Sequence, residues 1–499
     1  MDSEIIPPRQ YYLSKKSQDH VPEGYTHKKI EEWNLVVDSS FQLHPIYHGE
    51  DRVGLVFGTW IDTRTENQNR DHQLDTEATQ SVRAGCEQAL NDLAGRYVCL
   101  INTSEGVSLY LDPAGSLPAV YDVNREVVSA SPAAMVNIDH RERFRPDLFE
   151  AVTWPLISEG ENSWIPGTLT YYRDITRLLP NHYLDLQSWE QIRHWPGNDI
   201  STHSVDPAVV VEKILSELQS FFDKLVSTYR QPAISLTAGK DSRLLLAAAK
   251  SKAVNHDISF FTFGTDDANV DVHIARQLAN ATGVDWATLP IRRATEIQQT
   301  EWLERTGHTV SSAIKIIHPT LQHLDSDVQV GGLGGEIARG YYWQDNRNPN
   351  TDIGPSKLLL CFHKPDLPEL HETMSKWCLG AEQFNTYITL DLAYQEHRLG
   401  CWGGPQHLGL PPEKDYLRPL WHRPIIALMH HLPPKIRYRD ELTDRVIEQA
   451  WPELGAYPYN SFTNWRQYQS KIAGTTAKVK TALEHPAIAL NILYRDVFE

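Results

Sequence analysis

Cysteine is scarce and scattered in this chain: Cys86, Cys99, Cys361, Cys378 and Cys401 are five residues among 499, with no C-x-x-C pair. That spacing indicates neither a zinc site nor a disulfide framework. No apolar run approaches the length that crosses a bilayer. The opening Met1-Asp-Ser-Glu-Ile-Ile-Pro-Pro lacks the basic and apolar blocks of a secretory signal. Basic residues are outnumbered, 47 against 64 acidic, for a formal charge of -17. An acidic balance argues against a general nucleic-acid or anionic-membrane surface. Internal repeats and low-complexity tracts are missing as well. These absences predict a cytoplasmic protein with neither nucleic acid nor membrane as a partner, its length calling for two domains plus insertions.

What is present is concentrated in Pro232-Ala-Ile-Ser-Leu-Thr-Ala-Gly-Lys-Asp-Ser-Arg-Leu-Leu-Leu-Ala-Ala-Ala-Lys250. Ile234 to Leu236 read as a short interior strand and Leu244 to Ala249 as a helix, with the switch inside Thr237 to Ser242. Small residues there let backbone amides turn inward, and the start of a helix favours a phosphate. Asp241 adds the hard oxygen that Mg²⁺ takes beside phosphates. The pattern is not a Walker loop, which needs G-x-x-x-x-G-K-S/T. Read from these residues alone, an anion cradle and an Asp that merely caps a helix are both open.

Two further segments bear on that choice. Phe260-Phe-Thr-Phe-Gly264 is an apolar strand ending in glycine, followed by Asp271-Val-His-Ile-Ala-Arg-Gln-Leu-Ala-Asn280. Val328-Gln-Val-Gly-Gly-Leu-Gly-Gly-Glu-Ile-Ala-Arg-Gly-Tyr-Tyr342 is a glycine-rich loop after a third apolar run. The first segment resembles the S-G-G-x-D-S pyrophosphate loop of the asparagine synthetase-like family, with Thr237 and Ala238 in place of its first two residues. The second resembles that family's acidic-x-x-x-Ala-Arg helix, and the third its S-G-x-G-x-D-E loop.

The resemblance implies an α/β protein with two parts: an N-terminal antiparallel β-sandwich with flanking helices, Ntn-like, and a C-terminal doubly wound parallel-sheet pyrophosphate-loop domain. Residues 1–30, polar and proline-containing, are expected to form an extension, 31–195 a degenerate glutaminase-like domain, 196–206 a linker and 207–499 the ATP-pyrophosphatase domain. Short β-like runs such as Val53 to Trp60, Tyr97 to Ile101 and Val107 to Leu111 suit the sandwich. Asp112-Pro-Ala-Gly and Leu178-Leu-Pro-Asn-His-Tyr-Leu-Asp-Leu186 resemble turns of the glutaminase domain.

Departures from the family decide the chemistry. A working N-terminal glutaminase uses a residue-one cysteine whose own amine is the base; this chain begins Met1-Asp2-Ser3, so the first part reads as catalytically silent. The expected activity is an ATP-dependent carboxylate–amine ligase that adenylates an acid, releases pyrophosphate and forms an amide without hydrolysing glutamine. Its partners are a small-molecule or peptide carboxylate and an amine, within one molecule or between two, and a homodimer is left open. The resemblance places ATP on Leu236, Thr237, Ala238, Gly239, Lys240, Asp241, Ser242, Phe263, Gly332 and Gly334, and Mg²⁺ on Asp241 and Glu336. Leu333 stands where amide-forming members often hold a glutamate or tyrosine, and Ile337 where a second acid is common. No lysine aligns with the one that stabilises the acyl-adenylate, leaving Arg466 and Lys471 as catalytic candidates. His422 occupies an acidic position of the R-x-P-F-x-D segment, where a histidine titrates near neutrality unless it is buried. Lys240 is either a phosphate contact or a solvated lysine, and Arg243 a phosphate contact or a surface ion pair. The alternatives are a catalytically impaired nucleotide-binding or scaffold protein and an RNA-modifying pyrophosphate-loop enzyme.

Overall fold

A computed structural model of the chain describes residues 6–16, 21–63, 72–74, 81–136, 139–152, 154–156, 160–197, 205–343 and 351–461. The fold is mixed α/β, with antiparallel sheets in the N-terminal region and a parallel sheet of five strands after it. Among the described residues no helix is long and apolar enough to cross a membrane.

In the N-terminal region a six-stranded antiparallel sheet faces a seven-stranded sheet that is antiparallel except where Gln42–His48 pairs in parallel with His72–Leu74. Strand alternation explains the layering, since successive side chains leave opposite faces. Leu13, Leu35 and Val37 of the first sheet meet Leu55, Phe57, Val98, Leu100 and Leu109 of the second in one buried cluster. The intervening residues Val56, Tyr97, Cys99 and Ile101 turn outward beneath Cys86 and Leu90 of the helix Val82–Leu90. The other face of the first sheet, through Tyr12, Val36 and Val127, joins the largest cluster, which continues into Leu244 and Leu246. The two regions therefore share a continuous core.

Residues 1–30 do not form a peripheral extension throughout. Tyr11–Ser14 is an entirely buried strand inside the six-stranded sheet, paired with Trp33–Asp38 on one side and Val127–Ser129 on the other. Tyr25–Ile30 is that sheet's edge. The polar surroundings hid a four-residue Tyr-Tyr-Leu-Ser run whose aromatic content suits a strand.

The parallel sheet consists of β1 (Pro232–Ser235), β2 (Ser259–Phe263), β3 (Trp286–Leu289), β4 (Val328–Val330) and β5 (Asp415–Leu417), in spatial order β3-β2-β1-β4-β5. All four pairings are parallel. Ile234, Phe260 and Leu417 face one cluster, with helices α1 (Pro207–Thr228), α2 (Lys240–Ala248) and α3 (Val270–Thr282). Ala233, Phe261 and Tyr416 face another, with Trp302, Leu321 and Leu324. Both faces are buried, which is why these strands are apolar without alternation. The strand order reverses between β1 and β4, and in open α/β sheets ligands occupy the crevice at the carboxyl ends beside such a reversal.

Candidate functional site

The two loops at that crevice are the ones the sequence singled out. After β1 the Leu236 amide donates to Phe261, tying the strand's last turn to β2. Thr237 and Ser242 then close the turn on itself: the Thr237 amide donates to Ser242 Oγ at 3.1 Å, the two hydroxyls lie 2.9 Å apart, and the Gly239 amide donates to Thr237 Oγ1 at 3.1 Å. Gly239 caps α2 with no side-chain bond, so among the described residues no side chain takes up that helix's first-turn amides. Positive potential from the helix end adds to those donors.

The second segment meets the first through Asp271, whose Oδ1 accepts the Ala238 amide at 2.9 Å. The third packs directly on Asp241. A Cβ at Gly332 would lie 2.9 Å from Asp241 Cβ, and one at Gly335 would lie 2.2 Å from Asp241 Oδ1. Glycine is required at both by close approach. Gly334 sits at φ +120° against Trp421. The structure thus brings Thr237 to Ser242, Asp271 and Gly332 to Glu336 to one place. Phe263 ends β2 with its ring 5.4 Å from Phe261, and packs against the cluster on that face.

Arg339 was not singled out by the sequence, yet it organises the charges. Its guanidinium donates to both oxygens of Asp241, at 2.7 and 3.0 Å, and lies 3.0 Å from Glu336 Oε1. Glu336 also accepts the Gly334 amide at 3.0 Å. Burial lifts the Asp241 carboxyl to about 6 against the pull of Arg339. Burial likewise opposes the Arg339 charge, but Asp241 and Glu336 more than offset it and hold the guanidinium firmly protonated. The only signal in the sequence was spacing: Arg339 stands three residues after Glu336 on one short helical turn.

This arrangement revises the expected Mg²⁺ site. Asp241 and Glu336 are together, but a guanidinium bridges them, and among the described residues no group of three acidic, histidine or cysteine side chains gathers to hold a metal. With Arg339 seated, the pair does not fit a divalent ion.

Other expectations change too. Lys240 turns away from the loop, donating to the Asp440 carbonyl at 2.6 Å and pairing with Asp440 and Asp444 at 3.2 and 3.4 Å. Arg243 is not a surface ion pair: it is buried, donates to the Tyr457 and Pro458 carbonyls at 2.6 and 2.8 Å, and lies 4.1 Å over the Tyr459 ring. It clamps the segment that reaches back to the loop, where the Asn460 amide donates to Ala238. His422 is buried and its imidazole is pulled down to about 4, so it does not titrate near neutrality. Arg466 and Lys471 lie outside the described residues.

A second buried pair holds the third loop. Arg437 donates to both oxygens of Asp391, at 2.7 Å each, and to the Ile337 carbonyl. Trp343 stacks on Tyr387 with ring centroids 4.2 Å apart and donates to Asp391, which fixes it as packing. Tyr342 and Tyr394 pack with ring centroids 5.8 Å apart, and burial raises both phenols with the Glu336 charge pushing the same way.

No family model matches the chain, and no curated protein does. Among solved structures, the U34-tRNA thiolase NcsA from Methanococcus maripaludis with its 4Fe-4S cluster is similar, at 10% identity over 63% of this chain and 82% of that chain, with a TM-score of 0.23. An overlay that loose carries no argument.

Proposed function

We propose that the chain is an ATP-dependent carboxylate–amine ligase of the asparagine synthetase-like kind, forming an acyl-adenylate and then an amide. The observation that carries this reading is the meeting of three separated segments at the β1–β4 reversal: Asp271 on Ala238, and Gly332 and Gly335 on Asp241. A turn built only to cap a helix has no need of two glycines from a loop roughly a hundred residues away along the chain, pressed against its acidic side chain.

The chemistry asked of the site is modest in kind. A carboxylate is a poor acyl donor, and transfer of AMP to it provides a leaving group as pyrophosphate departs. The protein then has to orient the nucleotide and spread the charge that develops on the departing group. The first-turn amides of α2 and the hydroxyls of Thr237 and Ser242 supply donors, and Arg339 supplies a fixed positive charge without a metal step. Asp271 holds the Ala238 amide and so fixes the loop's shape. Leu333 moves no proton, so the attacking amine arrives neutral or loses its proton to a group elsewhere.

The test is isotope exchange between pyrophosphate and ATP, run on the purified protein with a panel of amino, sugar and peptide acids. Exchange that depends on one acid and is abolished in Asp241→Asn supports the reading. ATP binding without exchange for any acid class favours a nucleotide-binding protein, and no ATP binding removes the ligase reading.

A further inference from the structure

Beyond Glu336 the aromatic wall holds two cations that the nucleotide loops leave unused. Arg398 lies in the π-helix Tyr394–Gly403, a wide-register element that recurs at functional sites. Its guanidinium is 3.7 Å from the Trp402 ring centre and 5.7 Å from that of Trp164, and among the described residues it has no hydrogen bond or ion pair. Lys364, only 7% exposed, lies 4.8 Å over the same Trp164 ring and donates to the Val152 carbonyl at 3.1 Å. Burial pulls its ammonium down to about 7 and Arg398 pulls in the same direction, and among the described residues no carboxylate opposes them.

Burying a charge without a counter-ion is expensive, and two neighbouring cations compound the cost. Stacking covers the guanidinium's face and leaves its N–H edge free, which is the geometry that takes a planar carboxylate in two parallel bonds. Arg398 acts on the phenols of Tyr342 and Tyr394, and Glu336 acts on the same two phenols. Arg398 and Glu336 therefore both lie near this pair of tyrosines.

We propose that Arg398 and Lys364 form a carboxylate-binding subsite for an organic acid, whose carboxylate takes the N–H edge that Arg398 presents beside Trp402. That this acid is the one activated by ATP rests on the ligase reading above, whereas the subsite itself stands without it. Calorimetry on the full chain with benzoate tests it, with benzamide as the neutral isostere and sulfate as the non-planar anion. Benzoate is expected to bind and benzamide not to, and Arg398→Gln and Lys364→Met each weaken benzoate about 10- to 100-fold, the value of one charge-assisted bond. ATP affinity is unchanged in both. Absence of benzoate binding, equal affinity in the variants, or sulfate binding as tightly as benzoate overturns the carboxylate subsite. If Lys364→Met fails to fold, Arg398→Gln decides alone. Arg398-dependent benzoate binding in a protein that takes no ATP leaves the subsite standing and sinks the ligase reading.

Discussion

Arg339 and Asp241 form a bidentate ion pair across 98 residues of sequence, at 2.7 and 3.0 Å, on the loops after β4 and β1. The pair ties the pyrophosphate-type turn to the glycine-rich loop. It also places a permanent cation where two carboxylates would otherwise repel.

Arg339→Met is therefore expected to cost about 2–4 kcal/mol, because it leaves Asp241 and Glu336 facing each other with no cation between them. Urea denaturation of the variant measures this. Asp241→Asn with Arg339→Met recovers part of the loss, and full additivity of the two would show that the pair is not coupled.

Gly335→Ala drives a methyl group into the Asp241 carboxylate, 2.2 Å away. Either loop must shift, at about 1–3 kcal/mol of overpacking strain. ATP affinity is expected to fall in this variant more than in Gly283→Ala, where φ is +71° but nothing lies within 4 Å. Gly283→Ala thus serves as the control for backbone strain alone, and equal loss of ATP in the two would remove the contact argument.

Much of the site was legible because its residues are contiguous and small. Thr237 to Ser242 and Gly331 to Glu336 announce tight turns between apolar strands, and the strands themselves are short uninterrupted apolar runs. Arg339, Lys364, Arg398 and Arg437 were missed, since a single arginine or lysine carries no spacing signal and its partners come from distant segments. Asp391 meets Arg437 from 46 residues away. The stretch from Asp352 to His407 held no motif by composition. It folds as helices Pro355–Cys361, Pro368–Leu379 and Thr386–Ala393 running into the π-helix, a register that apolar periodicity does not reveal. Tyr11–Ser14 was hidden for a different reason, being four residues long between polar neighbours.

Glu396 joins the N-terminal region to this insertion. It pairs with Arg193 and accepts from Asn181 and Trp377, at 2.9 and 2.6 Å. Burial pushes its carboxyl up, but Arg193, His182 and Asn181 outweigh that and hold it at about 2. A carboxyl depressed in the folded state gives stability that is present above its unfolded value, about 4.3, and lost as pH falls through the folded one. Glu396→Gln is expected to lose about 3–5 kcal/mol at pH 7. The gap to the parent protein should narrow between pH 4 and pH 2 (roughly the unfolded and folded titration points) in acid-denaturation curves. A gap independent of pH would mean that Glu396 acts by packing alone.

Lys364 gives the opposite sign. Its folded-state ammonium is pulled to about 7 by burial and Arg398, whereas an unfolded lysine titrates near 10.4 (approximately,). Between those values the unfolded chain binds more protons, so stability rises with pH across the window. Below it the charged lysine costs on the order of 4 kcal/mol. Lys364→Met removes that cost and keeps an apolar chain of similar length on Trp164. The variant is therefore expected to be more stable than the parent at pH 6.5 and to lose its advantage towards pH 10, values set at about either end of the lysine window. Benzoate should shrink the advantage at the lower pH, because a carboxylate on Arg398 and Lys364 supplies a counter-ion that none of the described residues provides. Denaturant titrations at the two pH values, with and without benzoate, read all three effects. A variant less stable than the parent at the lower pH would place the ammonium in contact with water or with an anion, and would withdraw the uncompensated charge on which the carboxylate subsite is built.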